Sequence, residues 1–225
     1  MLNSGINRLG SLARLLVLLA VFGALASNTG RGQIPELAAK PGSSAAKGEQ
    51  TAVLAGGCFW GVDAVFKHVR GVTGVVSGYA GGSAATAQYE VVSTGATGHA
   101  ESVKITYDPS EIAYSDLLRV FFSVAHDPTE LNRQGPDRGS QYRSVIFYAN
   151  EDQKQTAQAA IDQLNKAKVL SAPVVTQVVP LKDFYPAEAH HQNFLARHPD
   201  YPYIVHNDLP KLRKLREQFP ALYKP

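Results

Sequence analysis

The sequence predicts an α/β (α+β) fold, a two-layer sandwich in which a mixed sheet carries helices on one face. Three observations lead there. Patterns of period two alternate with patterns of period three to four along the chain, no solenoid-type repeat interrupts them, and residues 51–225 suffice for one domain with a single core. The first strand is Thr51 to Ala55, followed by a helix from Cys58 to Val69 with Phe59, Val62, Phe66 and Val69 on one stripe. A strand over Val72–Ser77 and a Gly-rich loop over Gly78–Gly98 come next. From Ser102 to Tyr107, Val103, Ile105 and Tyr107 alternate with Lys104 and Thr106, the mark of a half-buried strand. Asp116 to Ala125 reads as a helix capped by Ser115, with Leu117, Leu118, Phe121 and Phe122 on one face. After a Pro/Gly/Asp-dense loop from His126 to Ser140, a strand (Arg143–Tyr148), a polar helix after Asn150, a strand (Val174–Val179) and a short helix from Pro186 follow. Lys211 to Arg216 is an amphipathic helical pattern, read as a solvated basic face over a docked apolar stripe in preference to a contact for acidic lipid or a partner.

The N-terminus is read separately. Arg8 and Arg14 precede the uncharged run Leu15–Ala26, and Ala24-Leu25-Ala26 supplies a small-x-small cleavage site. Residues 1–26 therefore read as a secretory signal peptide, too short in its apolar run for a comfortable membrane span. Residues 27–50, rich in Gly, Ser, Ala and Pro, read as a flexible linker. The expected location is periplasmic or extracellular, with an uncleaved signal anchor as the alternative; after cleavage no stable membrane contact is expected, and the domain is expected to be a monomer. Loss of Arg8 and Arg14 takes the formal charge from +3 to +1, which argues against a nucleic-acid partner.

Cys58 is the only cysteine in 225 residues, so neither an internal disulfide nor a cysteine-type zinc site can form. It stands in Gly56-Gly57-Cys58-Phe59-Trp60-Gly61, between a strand and a helix. Two glycines permit a sharp turn that delivers the sulfur to the first helical turn. There the helix dipole and free N–H groups favour an anion, which predicts a thiol acidified below its free value. The context favours a nucleophile beside two aromatics; the other reading of a lone cysteine is a buried structural thiol.

Gly57-Cys58-Phe59-Trp60-Gly61 resembles the active-site signature of methionine sulfoxide reductase A. Further segments follow in that family's order: Gly78-Tyr79-Ala80-Gly81-Gly82, Tyr89-Glu90-Val91-Val92, Thr97-Gly98-His99-Ala100-Glu101, His126-Asp127-Pro128-Thr129, and Asn132 to Asp137 with Gln141-Tyr142-Arg143-Ser144. The resemblance spans roughly Val53 to Asn207 and implies a ferredoxin-like plait with long loops at one end. It also implies reduction of methionine-S-sulfoxide, protein-bound or free, to methionine through a cysteine sulfenic acid, in repair of oxidised proteins.

That chemistry needs a soft nucleophile, a proton for the departing oxygen, hydrogen-bond donors to that oxygen and an apolar wall for the S-methyl group. By resemblance Cys58 is the nucleophile and Glu101 the proton donor. Tyr89 and Tyr142 bind the oxygen, Asp137 is a further carboxylate of the site, and Phe59 and Trp60 hold the methyl group. Taken alone, Tyr89, Tyr142 and Trp60 would read as packing residues and Glu101 as a solvated acid. Tyr79 is left as loop packing. Many family members carry additional C-terminal cysteines that resolve the sulfenic acid, whereas this tail has none. No bound cofactor is expected. The reductant is expected to be an external thiol such as thioredoxin, glutaredoxin, glutathione or another exported thiol system.

Other readings exist. A Cys-His hydrolase or acyltransferase would use His99 or His191 as base, and an imidazole beside the Cys58 sulfur would favour it. An exported module that grips apolar side chains with Phe59 and Trp60 would survive Cys58→Ser. No metal is expected: His190 and His191 diverge by about 100° on a helix, and His126-Asp127-Pro128-Thr129-Glu130 is not a helical zinc motif.

Overall fold

The structure, a computed structural model, describes residues 34–37 and 48–225. The signal peptide expected over residues 1–26 lies outside them. Strand β1 (Gln50–Gly56) leads through α1 (Phe59–Lys67) to β2 (Val72–Ala80), a short helix α2 (Tyr89–Val92), β3 (Ala100–Tyr107) and α3 (Tyr114–Val120). A two-stranded ribbon, β4 (Arg133–Gln134) and β5 (Asp137–Arg138), precedes β6 (Ser144–Tyr148), α4 (Glu151–Ala167), β7 (Gln177–Pro180) and β8 (Phe184–Pro186). The chain ends with α5 (Phe194–Arg197) and α6 (Leu209–Gln218).

The main sheet has the order β7-β6-β1-β3-β2-β8, antiparallel throughout except for the parallel pair β6–β7. Its middle four strands, β6-β1-β3-β2, with α1 and α3 as crossovers, make the expected ferredoxin-like plait. β7 and β8 extend the two edges. Strand period decides the faces: Ala52 and Leu54 join Val103, Ile105 and Ile146 under Val62, Val65, Phe66, Leu117 and Leu164 from the helices. Val53, Ala55, Val145 and Phe147 point the other way into a smaller cluster with Val179, Leu181 and Phe184. Phe66 is fully buried in the larger cluster, and its truncation to alanine would cost about 3–5 kcal/mol.

Several boundaries differ from the sequence reading. β2 runs on to Ala80, and the supposed loop after it holds a 3-10 turn (Ala84–Thr86) and α2. The helix expected from Asp116 starts at Tyr114, so Ser115 lies inside it rather than capping it. That helix loosens into a π turn over Phe121–Ala125. The short helix expected from Pro186 is instead β8, ending at Pro186 and pairing with β2, with a 3-10 turn only at Ala189–His191. Within the segment read as a linker, Ile34 and Leu37 are buried in the larger cluster, and Gln163 donates to the Glu36 carbonyl. Apolar contact outweighs local composition at those residues.

Candidate active site

Cys58 occupies the N-cap of α1 and makes no side-chain capping bond. Gly57 before it has φ +90°, a conformation that favours glycine, and a Cβ there would come 2.6 Å from Gln134 Cβ. The sulfur opens into a cleft of about 220 Å³ lined by Cys58, Phe59, Trp60, Tyr89, Glu101, Asp137, Tyr142, Tyr201 and Tyr203. All seven residues singled out from the sequence line this one cleft; Tyr201 and Tyr203 are additions.

Glu101 sits near the start of β3 and is only 3 % exposed. Its Oε2 accepts the Phe59 backbone N–H at 3.0 Å, so a distant carboxyl takes the first free donor of α1. Burial pushes its pKa up to about 8 against that hydrogen bond, with Asp137 adding to the rise. At neutral pH it holds a proton. Burial also keeps the Tyr89 and Tyr142 phenols above their ordinary range, with Glu101 adding, so both remain donors. Tyr142 closes a 3-10 turn, Ser140–Tyr142. Arg143 ties that turn to the loop before β3, donating to the carbonyls of Ser140 (2.8 Å), Gly98 (2.9 Å) and His99 (3.0 Å).

The thiol itself departs from the sequence reading. A helix N-terminus predicts an acidified Cys58, yet its pKa is raised well above the usual value. Burial is the main cause, and the nearby Glu101 and Asp208 add to it; the Trp60 N–H opposes but is outweighed. The dipole argument fails because the sulfur is buried among acids, and Glu101 already occupies the Phe59 N–H. At rest Cys58 is a thiol.

The apolar wall is braced by residues outside the sequence-derived set. Trp60 stacks on Phe194 at 3.7 Å between centroids and donates its indole N–H to His191 Nδ1 at 3.1 Å. Phe59 packs on Tyr79, whose hydroxyl donates to Glu188 Oε2 at 2.8 Å. Glu188 Oε1 accepts the Tyr89 N–H at 2.9 Å, so this one carboxylate steadies both tyrosines. Tyr79, loop packing by its sequence alone, thus braces the wall. Asp137 accepts a hydrogen bond from the Tyr203 hydroxyl. The density of aromatics in Phe194 and Tyr201-Pro202-Tyr203 is a signal available in the sequence; Glu188 and His191 offer none.

The hydrolase reading finds no support in this geometry. His99 Nδ1 accepts the Gly82 N–H and its Nε2 meets the Ser83 carbonyl, while His191 serves Trp60. Neither imidazole is hydrogen-bonded to Cys58.

Comparison with known proteins agrees with the geometry. The family profile described as peptide methionine sulfoxide reductase matches residues 50–222. "Peptide methionine sulfoxide reductase MsrA 2" of Mesorhizobium japonicum is 63% identical over 179 residues, 80% of this chain and 92% of that protein. A Thermus thermophilus "Peptide methionine sulfoxide reductase MsrA" is 50% identical over 177 residues, 79% of this chain and 99% of that protein. Among solved structures, "Methionine sulfoxide reductase A of Corynebacterium diphtheriae" aligns with TM-score 0.59 and 34% identity, covering 69% of this chain and 78% of that one. Reduced Mxr1 from Saccharomyces cerevisiae aligns with TM-score 0.61 and 32% identity, covering 68% and 87%.

Proposed function

The chain belongs to the peptide methionine sulfoxide reductase A family, and we propose that it reduces methionine-S-sulfoxide through a Cys58 sulfenic acid. The observation that carries this reading is the cleft itself: a sulfur nucleophile, a neutral carboxylic acid, two phenols and an aromatic wall line one volume of about 220 Å³. The sulfoxide methyl group rests against Phe59 and Trp60, and the oxygen takes hydrogen bonds from Glu101, Tyr89 and Tyr142. Proton transfer from Glu101 to that oxygen makes the sulfur electrophilic and turns Glu101 into a base for the Cys58 thiol. Attack by the Cys58 sulfur on the sulfoxide sulfur forms a sulfur–sulfur bond, and the oxygen, protonated again through Glu101, leaves as water. Water then adds to the Cys58 sulfur, breaking the sulfur–sulfur bond and returning a proton to Glu101: thiol plus sulfoxide gives sulfenic acid plus thioether, with nothing further consumed.

With one cysteine in the sequence, the sulfenic acid meets no internal thiol. An external thiol condenses with it, releasing water and leaving a mixed disulfide, which a second thiol clears. A glutathione, glutaredoxin or thioredoxin-type donor fits this scheme. The open cleft admits protein-bound methionine sulfoxide, with the free amino acid as a smaller substrate. The apolar run and cleavage site at residues 15–26 support action outside the cytoplasm, with release at Ser27; a mature start at Met1 in a membrane fraction would replace that with an anchored form. The central test is mass spectrometry of Cys58 after one turnover without reductant. One methionine per enzyme and one added oxygen on Cys58 are expected. A first turnover that leaves Cys58 a free thiol, or equal rates for both epimers, would overturn the scheme.

A further inference from the structure

One buried acid near the sulfur has no part in the reaction above. Asp208 ends the π turn Ile204–Asp208 that leads into α6, and it is 1 % exposed. Its Oδ1 lies 3.1 Å from Lys211 Nζ, and its Oδ2 has no hydrogen-bond partner among the described residues. The pair rests directly on the first turn of α1. A Cβ added at Gly61 would collide with Asp208 Oδ1 and come 2.6 Å from Lys211 Nζ. Gly61 is therefore a glycine of close approach, three residues after Cys58. A buried carboxylate with one oxygen unpaired is costly, and apolar side chains of like volume would pack there at less cost. Stability alone does not account for it.

The charges around the sulfur come from several elements. Glu101 on β3, Asp137 on β5 and Asp208 before α6 all oppose ionisation of Cys58. The phenols of Tyr89, Tyr142 and Tyr203 are in electrostatic contact with it, and the Trp60 N–H favours the anion. Burial raises the pKa of both Asp137 and Asp208, and Lys211 is the cation that opposes the rise in each. Asp208 is moreover in electrostatic contact with Asp137 and Tyr203.

We propose that Asp208, anchored by Lys211, sets the resting state of the nucleophile: pressed against the first turn of α1 at Gly61 and carrying a negative charge near the sulfur, it holds Cys58 as a thiol until a sulfoxide enters. This rests on the reductase reading above. A resting thiolate would react with any peroxide and climb the oxidation ladder without repairing anything. A thiol that gives up its proton only to a Glu101 emptied by the substrate oxygen is spent on sulfoxides alone. Asp208 thereby trades resting reactivity for selectivity.

The test is the pH dependence of Cys58 alkylation by iodoacetamide in the resting full-length enzyme, wild type against Asp208→Asn, which keeps the shape and removes the charge. The midpoint is expected to fall by about one pH unit in the variant, with alkylation and hydrogen peroxide inactivation at pH 7 each faster by up to about tenfold. Single-turnover reduction of methionine sulfoxide should change much less, so the ratio of sulfoxide to peroxide reactivity drops. Gly61→Ala, which drives the carboxylate outward without neutralising it, should lower the midpoint by a smaller amount and serves if Asp208→Asn does not fold. A folded variant whose alkylation midpoint matches wild type would overturn the proposal and leave Asp208 a packing residue. Failure of the wild type to form methionine would instead strike the reductase reading, while the alkylation titration, made without substrate, still reports on Asp208.

Discussion

Helices α1 and α4 each follow a strand of the same sheet, yet they begin in opposite ways. α4 is written locally: Asn150 Oδ1 accepts the Gln153 N–H at 2.9 Å, Glu151 and Asp152 occupy the first turn, Lys166 the last, and Lys168 turns left-handed to end it. α1 has no side-chain cap and no acid in its first turn. Its first N–H is met by Glu101, 42 residues away, and its first turn is pressed by Asp208 from the far end of the chain. A helix start left incomplete by its own sequence, then finished by distant buried acids, is where this fold builds chemistry. Local consistency marks scaffold; its breach marks the site.

The sharpest way to break this comparison is Glu101→Gln, which still accepts the Phe59 N–H but has no proton to give. A fall in kcat of about 10²–10⁴-fold is expected, read by steady-state reduction of a methionine-S-sulfoxide peptide. Unchanged rates would reduce Glu101 to a remote cap, no different in kind from Asn150. Next in size, Tyr89→Phe and Tyr142→Phe should each lower kcat by about 10- to 100-fold. Because both donors serve one oxygen, the double variant should lose less than the product of the two. Full additivity would mean the phenols act on separate atoms.

The titration of Glu101 gives the third comparison. Activity needs its neutral form, so the reductase step should decline as pH rises through about 8. Its folded pKa lies above the ordinary value of 4.5, so its neutral form favours the fold; that contribution is whole below about pH 4.5 and is lost as pH rises through about 8. Urea midpoints of wild type and Glu101→Gln between pH 5 and 9 should therefore diverge, with the Gln variant holding its stability at the alkaline end. Parallel curves would mean that Glu101 is ionised in the fold. The smallest effect belongs to α4. Asn150→Ala should cost about 1 kcal/mol of stability and leave kcat and KM unchanged, and a kinetic change there would blur the line between the two helices.

The same division governs what can be read from the sequence. The strands of the plait and α4 are legible because period, cap and turn residues agree at each of them. The boundary of β2 is hidden because Gly78-Tyr79-Ala80 looks like loop, whereas pairing with β3 and β8 on both sides holds it extended. β8 reads as a helix start because Pro186 suits a first helical turn as well as the end of an edge strand. In the site, Cys58, Phe59, Trp60, Tyr89, Glu101, Asp137 and Tyr142 stand out through ordered motifs. Glu188, His191 and Asp208 do not, since each acts by a contact made only in three dimensions, and Tyr203 shows only in the local density of aromatics. The acidity of Cys58 is misleading from sequence for the same reason: the dipole is a local property, whereas burial and the approach of Glu101 and Asp208 are not.

The bond from Trp60 to His191 joins residues 131 positions apart, and Tyr79 and Tyr89 wait on Glu188 in the same way. Until the last quarter of the polypeptide has docked, β1 to β3 can pair while the indole, the Tyr79 hydroxyl, the Tyr89 amide and the turn at Gly61 remain unbraced. Contacts of such long separation form late in folding. The order of events is thus written into the topology: a chain interrupted near residue 185 would keep Glu101 and Asp137 beside the thiol but lack Glu188, His191 and Asp208. Pulsed hydrogen exchange during refolding should find amides of β1 and β3 protected before the Trp60 indole and the Tyr89 amide. Simultaneous protection would mean that the ring of contacts around the sulfur closes in one step.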